Sequence, residues 1–209
     1  MRLREEAGGE AVRLERLWSG AFGDEYIERN RTAGEKRARF WRALLTNYPV
    51  RRVLEVGCNT GANLRWIAGV APPEGVYGVD VNLKALGELR RALPQVHALL
   101  SPGRELPFCD GCFDLVFTVG VLIHQPDDTL PAVMAEIVRA SRRYVLAGEY
   151  HAAELAEVPY RGQTGALFKR DYGRLYLEMF PRLAPRGGGF LGPADGFDDI
   201  TWWLFEKQR

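Results

Sequence analysis

The chain has 209 residues, of which 46% are hydrophobic and 26% charged, and its formal net charge at pH 7 is +1. These fractions are ordinary for a globular domain, and the length is sufficient to enclose a substantial core. A near-neutral charge argues against a nucleic-acid footprint. No apolar run reaches the roughly 18 residues of a membrane span, and the start, MRLREE, lacks the hydrophobic stretch of a signal peptide. We therefore expect a cytoplasmic protein that binds neither nucleic acid nor membrane.

The N-terminal quarter of the sequence is predicted to be helical. Apolar residues recur at helical spacing over residues 3–18 and 34–47. The segment between them contains FGDEYIERN at residues 22–30, which is both polar and aromatic. We expect residues 1–48 to form an N-terminal extension and residues 49–209 to form one domain.

Residues 51–63, RRVLEVGCNTGAN, are the most informative stretch of the chain. Residues 53–56 read as a short buried strand, Gly57 ends it, and Gly61 lies four residues later at the mouth of the following helix. Such a turn lets the backbone approach a ligand closely and directs free helix N–H groups at it. Glu55, near the end of the strand, places a carboxylate where it could accept a hydrogen bond from a bound ammonium group.

A second buried strand, VYGVDVN at residues 76–82, ends near Asp80, 23 residues after Gly57. An acid at the tip of the second strand of a doubly wound sheet can accept hydrogen bonds from both hydroxyls of a ribose. Strand, glycine turn, helix, loop and strand with a terminal acid form the nucleoside-binding half of such a fold. The turn differs from the dinucleotide motif G-x-G-x-x-G, because Cys58 and Asn59 stand where the second glycine and its neighbour would be.

The remaining elements alternate between strands and helices. Predicted helices cover residues 64–68, 83–92, 130–140 and 170–180, and predicted strands cover residues 96–100, 113–119 and 143–150. Phe197 and residues 201–206 are assigned to the terminal strands, since GPADG at residues 192–196 suits the turn of a hairpin. Near-continuous apolar strands alternating with helices indicate an α/β fold with a Rossmann-like doubly wound, mostly parallel sheet, a terminal antiparallel strand and helices on both faces.

The three cysteines are expected to be free thiols. Cys109 and Cys112 form a C-x-x-C pattern, which can be read as half of a zinc site or as a redox pair. A structural zinc site needs four ligands, and no second pair exists, because Cys58, His97 and His124 are scattered. We therefore expect no metal and no required disulfide.

Glu55, Gly57 and Gly61 resemble the first motif of class I S-adenosylmethionine-dependent methyltransferases, E/D-x-G-x-x-x-G. LPFCDGCFD at residues 106–114 is similar to the turn L-P-F-x-D-x-S-F-D that precedes the fourth strand in this class. The resemblance implies S-adenosylmethionine as cofactor, S-adenosylhomocysteine as product, a small-molecule substrate and an N-terminal helical lid. The predicted cofactor-binding residues are Glu55, Gly57, Cys58, Asn59, Gly61, Asp80, Val81, Asn82, Ser101, Val119, Gly120, Tyr26, Arg29 and Asn30.

Adenine recognition is the least specified part of this assignment. Many members of the class carry an acid after the third strand, whereas this chain has LLSPG at residues 99–103. The Ser101 hydroxyl, backbone groups or the pair Arg104 and Glu105 would have to take that role.

Several further segments are similar to the pseudaminic acid biosynthesis-associated methylases, a subgroup of this class, over roughly residues 15–207. They are residues 18–26, 29–30, 57–61, 121–124, 148–150 and 197–201. The similarity implies an amino- or hydroxyl-bearing sugar derivative, or a similar metabolite, as methyl acceptor.

Methylation of an amine or hydroxyl releases a proton, so a base near the methyl group can help. The predicted catalytic residues are Tyr26, His124, Glu149 and Tyr150. His124 could instead pack the turn after strand four, and Glu149 and Tyr150 could form a solvated strand end. The lid aromatics could cage a sulfonium or simply dock the lid.

Two other functions stay open. A non-catalytic S-adenosylmethionine binder would keep Glu55, Gly57 and Asp80. An enzyme that cyclises the aminobutyrate arm of S-adenosylmethionine would release methylthioadenosine. The sequence does not indicate the oligomeric state.

Overall fold

The computed structural model describes residues 9–30 and 36–208. Its helices are α1 (Glu10–Ser19), α2 (Ala21–Arg29), α3 (Ala38–Asn47), α4 (Leu64–Ile67), α5 (Leu83–Ala92), α6 (Leu130–Ala140) and α7 (Tyr172–Met179). Its strands are β1 (Val53–Val56), β2 (Val76–Asp80), β3 (His97–Leu100), β4 (Phe113–Val119), β5 (Ser141–Glu149), β6 (Ala156–Glu157), β7 (Phe168–Lys169), β8 (Leu183–Leu191) and β9 (Ile200–Lys207).

Seven strands form one sheet in the order β3-β2-β1-β4-β5-β9-β8. The first five pair in parallel, and β9 runs antiparallel to both of its neighbours, β5 and β8. The predicted doubly wound, mostly parallel sheet with a terminal antiparallel strand is therefore confirmed. The strand order reverses between β1 and β4, so the carboxyl ends of β1, β2 and β4 border the crevice where ligands of such sheets bind.

Apolar layers cover both faces of the sheet, as near-continuous apolar strands predict. On one face, Trp41 of α3, Leu64 of α4 and Leu86 of α5 are fully buried against β1, β2 and β4. On the other face, Met134 of α6 and Tyr176 of α7 are fully buried. These two layers fix the strand ends and therefore the positions of the side chains that follow them.

The structure corrects several element boundaries. The first helix begins at Glu10 where it is described, and residues 3–8 of the predicted helix lie outside the described residues. The placement of Phe197 in a strand is wrong, because it lies in the loop between β8 and β9. Strand β8 is not predicted by the sequence pattern, because its three glycines at residues 187–189 lower its strand propensity. Pairing with β9 along its length compensates for that low propensity.

The expectation of free thiols is wrong for two of the three cysteines. Cys109 and Cys112 form a disulfide, whereas Cys58 is free and buried. Gly111 adopts a left-handed φ of 62°, so the chain turns back within the C-x-x-C segment. The turn brings the two Cα atoms to 5.6 Å, a separation that a disulfide can span.

Residues 9–30 and 36–208 contain neither a metal-binding cluster nor a membrane-spanning helix. No group of three or more His, Cys, Asp or Glu side chains in these ranges is placed to hold a metal ion. None of the helices described there is long and apolar enough to cross a membrane.

Candidate active site

A cavity of about 450 Å³ lies at the carboxyl ends of β1, β2 and β4. Its other walls come from α1, α2 and the segment around the β6–β7 hairpin. Most of the predicted site residues line it: Tyr26, Arg29, Asn30, Glu55, Gly57, Cys58, Asn59, Asp80, Val81, Asn82, Ser101, Val119, Gly120, His124 and Tyr150. The volume lies in the range of small-molecule sites.

The turn after β1 requires a glycine at its first position. Gly57 has a φ of 74°, and a Cβ placed there would lie 2.3 Å from Cγ2 of Val121. The N–H groups of Gly57 and Cys58 donate to the carbonyl oxygen of Val79 at 2.8 and 3.0 Å. The end of β1 is thereby fixed to β2. At Gly57 the cavity wall is formed by backbone atoms, because this residue has no side chain.

Glu55 carries a carboxylate oxygen that has no partner. The residue is 2% exposed, and its Oε1 accepts a hydrogen bond from Nδ2 of Asn63 at 2.6 Å. Its Oε2 is buried and unpaired in the described part of the chain. Burial raises the pKa of Glu55 to about 8, against the lowering effects of the Asn63 hydrogen bond and the charge of Arg37. A buried, unpaired carboxylate oxygen in a residue that lines the cavity fits an ammonium ligand.

Arg37 is a cavity residue that the sequence analysis missed. Its Nη1 donates to Oδ1 of Asn63 at 2.8 Å, so a single amide connects Arg37 with Glu55. Its Nε donates to the carbonyl oxygen of Gly196 at 2.8 Å, and its guanidinium carbon lies 4.3 Å from the centre of the Phe197 ring. A fixed cation and a fixed carboxylate that share one amide suit the two charged groups of an α-amino acid.

The carboxylate of Asp80 closes the turn after β1. Its Oδ2 accepts from the N–H of Asn59 at 2.8 Å, and its Oδ1 accepts from the N–H of Asn82 at 2.9 Å. Burial raises its pKa, although these backbone hydrogen bonds act in the opposite direction. Each carboxylate oxygen has a second acceptor position, so both can still accept from a diol in the cavity.

Both the nitrogen and the oxygen of the Asn82 side-chain amide form hydrogen bonds within the protein. Its Oδ1 accepts from the N–H of Ala85 and caps α5, while its Nδ2 donates to the carbonyl oxygen of Trp18 and to Oδ1 of Asp24. Asn82 lines the cavity, and its predicted contact with the cofactor would therefore not rest on a free side-chain N–H. Its side chain joins the cavity wall to α1 and α2.

The groups expected near adenine also have internal partners. The hydroxyl of Ser101 lies 2.8 Å from the carbonyl oxygen of Glu105, to which it donates. Arg104 donates to Glu15 of α1 at 2.7 Å. Ser101 and Arg104 both line the cavity, so a hydroxyl acceptor position and backbone groups are available there.

An aromatic cluster closes the cavity above the strand ends. The ring centre of Trp18 lies 5.2 Å from that of Phe22, 5.4 Å from Tyr26 and 4.5 Å from His124. Tyr160, from the segment between β6 and β7, packs beside His124 at 5.4 Å. Burial raises the pKa of the Tyr26 phenol to about 12. The N-terminal helices and this second segment thus cover the cavity together.

His124 is neutral over the physiological pH range. It is buried, and its Nδ1 lies 2.6 Å from the carbonyl oxygen of Ala166, so Nδ1 carries the proton and donates. Burial lowers its pKa to about 4. In this tautomer Nε2 is the acceptor nitrogen.

Two predicted site residues do not line the cavity. Glu149 is fully buried, and its carboxylate accepts hydrogen bonds from the Thr118 hydroxyl and from the N–H groups of Val121 and Ile123. Burial raises its pKa to about 7. Its expected contact with the acceptor is therefore corrected, because its hydrogen bonds shape the turn after β4. Gly61, at a φ of 84°, leaves room for α5, where a Cβ would meet Leu89 at 2.5 Å.

Asp198 is a further cavity residue whose place the sequence analysis did not assign. The Tyr150 hydroxyl donates to its Oδ2 at 3.3 Å, and both residues line the cavity. Asp198 lies within residues 197–201, one of the segments similar to the methylase subgroup described above. Tyr160 lies in none of those segments.

Residues 53–143 match a family described as a methyltransferase domain. The tRNA U34 carboxymethyltransferase of Syntrophotalea carbinolica is 33% identical over 172 residues, which cover 76% of this chain and 50% of that protein. This chain thus spans half the length of that relative.

Two solved methyltransferase structures share the fold. The magnesium protoporphyrin IX methyltransferase of Synechocystis with bound S-adenosylmethionine has a TM-score of 0.72 and 12% identity, with 97% of this chain and 99% of that chain covered. The 1,6-didemethyltoxoflavin-N1-methyltransferase of Burkholderia thailandensis has a TM-score of 0.71 and 17% identity, with 95% and 88% covered. A methyltransferase domain implies S-adenosylmethionine as its cofactor. The matched segment and the order of the sheet together identify residues 53–143 as a methyltransferase domain of class I, the S-adenosylmethionine-dependent type.

Proposed function

We propose that this chain transfers the methyl group of S-adenosylmethionine to a small polar metabolite with an amino or hydroxyl group. The observation that carries the proposal is the unpaired Oε2 of Glu55 in the same cavity as Asp80, with the two acids at the ends of neighbouring parallel strands. An ammonium group and a ribose diol on one ligand would satisfy both.

The residues of the cavity fit the parts of this cofactor. Glu55 would accept from its ammonium group, Arg37 would bind its carboxylate, and Asp80 would accept from its ribose hydroxyls. Gly57 would let the backbone lie against the ligand. The bound cofactor supplies an activated methyl group, and this chain would align the acceptor with it and exclude water.

A small acceptor is favoured by the way the cavity is covered. Helices α1 and α2 and the segment containing Tyr160 lie over the strand ends, and the net charge of +1 provides little attraction for a polyanion. Among small acceptors, we propose an amino- or hydroxyl-bearing sugar derivative. Because one relative is named for tRNA modification, tRNA is the acceptor class to test against it.

Calorimetry with S-adenosylhomocysteine tests the cofactor site directly. We expect the wild type to bind, and Asp80→Ala to lose about 1–3 kcal/mol of binding free energy, because the ribose hydroxyls lose their acceptors. Asp199→Ala, an exposed aspartate outside the cavity lining, is the matched control and should bind as the wild type does. Absence of binding to the wild type would overturn the proposal.

The nucleoside product separates methyl transfer from the alternatives. Incubation with S-adenosylmethionine and a metabolite extract should yield S-adenosylhomocysteine, detected by mass spectrometry. Methylthioadenosine would instead indicate cyclisation of the aminobutyrate arm, and an unchanged cofactor would indicate a binding protein. Replacing the metabolites with tRNA should give no methylated product.

A further inference from the structure

The loop that precedes β9 brings Asp198 to the edge of the sheet where ligands bind. Strand β9 runs antiparallel to β5, with Thr201 opposite Glu149. The residues just before β9 therefore lie beside those just after β5. This topology places Asp198 next to Tyr150, although 48 residues separate them in the sequence.

The backbone on both sides of Asp198 is anchored, while its side chain stays accessible. Phe197 is 3% exposed and packs on the guanidinium of Arg37, and Ile200 is 3% exposed. Asp198 itself is exposed and lines the cavity, and the Tyr150 hydroxyl donates to its Oδ2. An accessible carboxylate on an anchored loop is held in a defined position at the cavity.

The other carboxylates of the described cavity lining already have roles. Glu55 and Asp80 fit the cofactor, and Glu15 pairs with Arg104. The His124 ring is buried between Trp18 and Tyr160, with ring centres at 4.5 and 5.4 Å, and lacks the open path to solvent that the exposed Asp198 has. Asp198 is thus the carboxylate of this lining that neither the cofactor nor an ion pair explains.

We propose that Asp198 accepts the proton that the methyl acceptor releases, and that the Tyr150 hydroxyl orients its carboxylate. This inference rests on the proposed methyl transfer. A lone pair of an N–H or O–H nucleophile forms a bond to the methyl carbon, the carbon–sulfur bond breaks, and its electron pair stays on sulfur. The sulfonium becomes a neutral thioether. The acceptor proton passes to the Asp198 carboxylate and from there to solvent, which reaches this exposed side chain.

The test compares Asp198→Asn with Asp199→Asn, which makes the same change one residue away and outside the cavity lining. Turnover is measured as transfer of tritium from S-adenosyl[methyl-³H]methionine to the small-molecule fraction of a cell extract. We expect Asp198→Asn to lower kcat by about 10²-fold or more, the typical contribution of a general base. Its Kd for S-adenosylhomocysteine should stay within about twofold of the wild type. Asp199→Asn should match the wild type in both measurements, and Tyr150→Phe should lower kcat by a smaller factor.

The outcomes separate this inference from the function on which it rests. Wild-type turnover in Asp198→Asn would overturn the inference alone, and so would an equal loss of turnover and cofactor affinity, since that pattern indicates a cofactor contact. A labelled product methylated on carbon or sulfur would overturn the assignment of an N–H or O–H nucleophile. A wild type that neither binds S-adenosylhomocysteine nor transfers tritium would overturn the proposed function itself.

Discussion

Asn82 donates from its side-chain amide to the main-chain carbonyl oxygen of Trp18 at 3.0 Å. The same amide nitrogen donates to Oδ1 of Asp24, and the amide oxygen caps α5. One side chain therefore connects both N-terminal helices to the loop that follows Asp80. The positions of α1 and α2 and the shape of the cavity beside Asp80 therefore both depend on this residue.

Replacing Asn82 with alanine should weaken both connections. We expect the free energy of unfolding to fall by about 2–3 kcal/mol, the sum of a lost helix cap and lost side-chain hydrogen bonds. Trypsin should also cleave more rapidly after Arg16 in α1, since that helix loses its anchor. Chemical denaturation and timed proteolysis measure the two effects. Asn47→Ala, at an exposed site at the end of α3, should change neither. Unaltered proteolysis in the Asn82 variant would show that α1 and α2 are held by other contacts.

A pair of glycine substitutions tests the turn after β1. Gly57→Ala forces a left-handed φ on a residue with a Cβ and drives that Cβ against Val121. We expect it to destabilise the fold by about 1–3 kcal/mol and to abolish measurable binding of S-adenosylhomocysteine. Gly87→Ala lies in α5, where an added Cβ meets nothing within 4 Å. It should stabilise the fold by about 0.5–1 kcal/mol and leave binding intact. Thermal melting and calorimetry on both variants provide the comparison.

The sequence predicted those parts of the site that lie within one strand and the turn after it. Glu55, Gly57 and Asp80 follow from the strand and turn pattern, because the carboxyl ends of adjacent parallel strands meet at one edge. Arg37 and Asp198 could not be found in this way. Arg37 reaches the cavity from the turn before α3, and Asp198 from the loop before an antiparallel strand. Their positions depend on tertiary packing around Phe197, which no local pattern encodes.

Tertiary packing also determines the role of Glu149, which the sequence predicts to contact the acceptor although it does not line the cavity. It ends an apolar strand at the ligand-binding edge, so its position in the sequence suggests a ligand contact. The structure turns its carboxylate toward the Thr118 hydroxyl and the backbone of the turn after β4. Burial of an acid depends on what packs around the strand end, and residues distant in the sequence supply that packing.

The disulfide between Cys109 and Cys112 should contribute to stability and leave the cofactor site unaffected. It closes a very short loop, for which the loss of unfolded-state entropy corresponds to about 2 kcal/mol. The loop precedes β4, at the opposite end of that strand from the cavity. Reduction, or the double change Cys109→Ser with Cys112→Ser, should lower the melting temperature without changing the Kd for S-adenosylhomocysteine. Alkylation of the denatured, unreduced protein should modify Cys58 alone. Three alkylated cysteines would show that the disulfide does not form.

The raised pKa of Glu55 predicts a stability that depends on pH. Its folded-state pKa of about 8 lies above the ordinary value of 4.5. A group raised in this way contributes stability fully below pH 4.5, and that contribution is lost as the pH rises through about 8. Glu55→Gln removes this titration. The free energy of unfolding of the variant minus that of the wild type should therefore increase between pH 4.5 and 8, by up to about 1.4 kcal/mol per pH unit, and then level off.

Urea denaturation of the wild type and of Glu55→Gln at several pH values measures this difference. Ligand binding provides a second test of the pKa of Glu55. An ammonium group beside Glu55 would favour the ionised carboxylate and lower its pKa. Saturating S-adenosylhomocysteine should therefore reduce the pH dependence in the wild type, while Glu55→Gln should bind it more weakly. A pH dependence that persists unchanged with ligand bound would place the ammonium group away from Glu55, even if binding itself were tight.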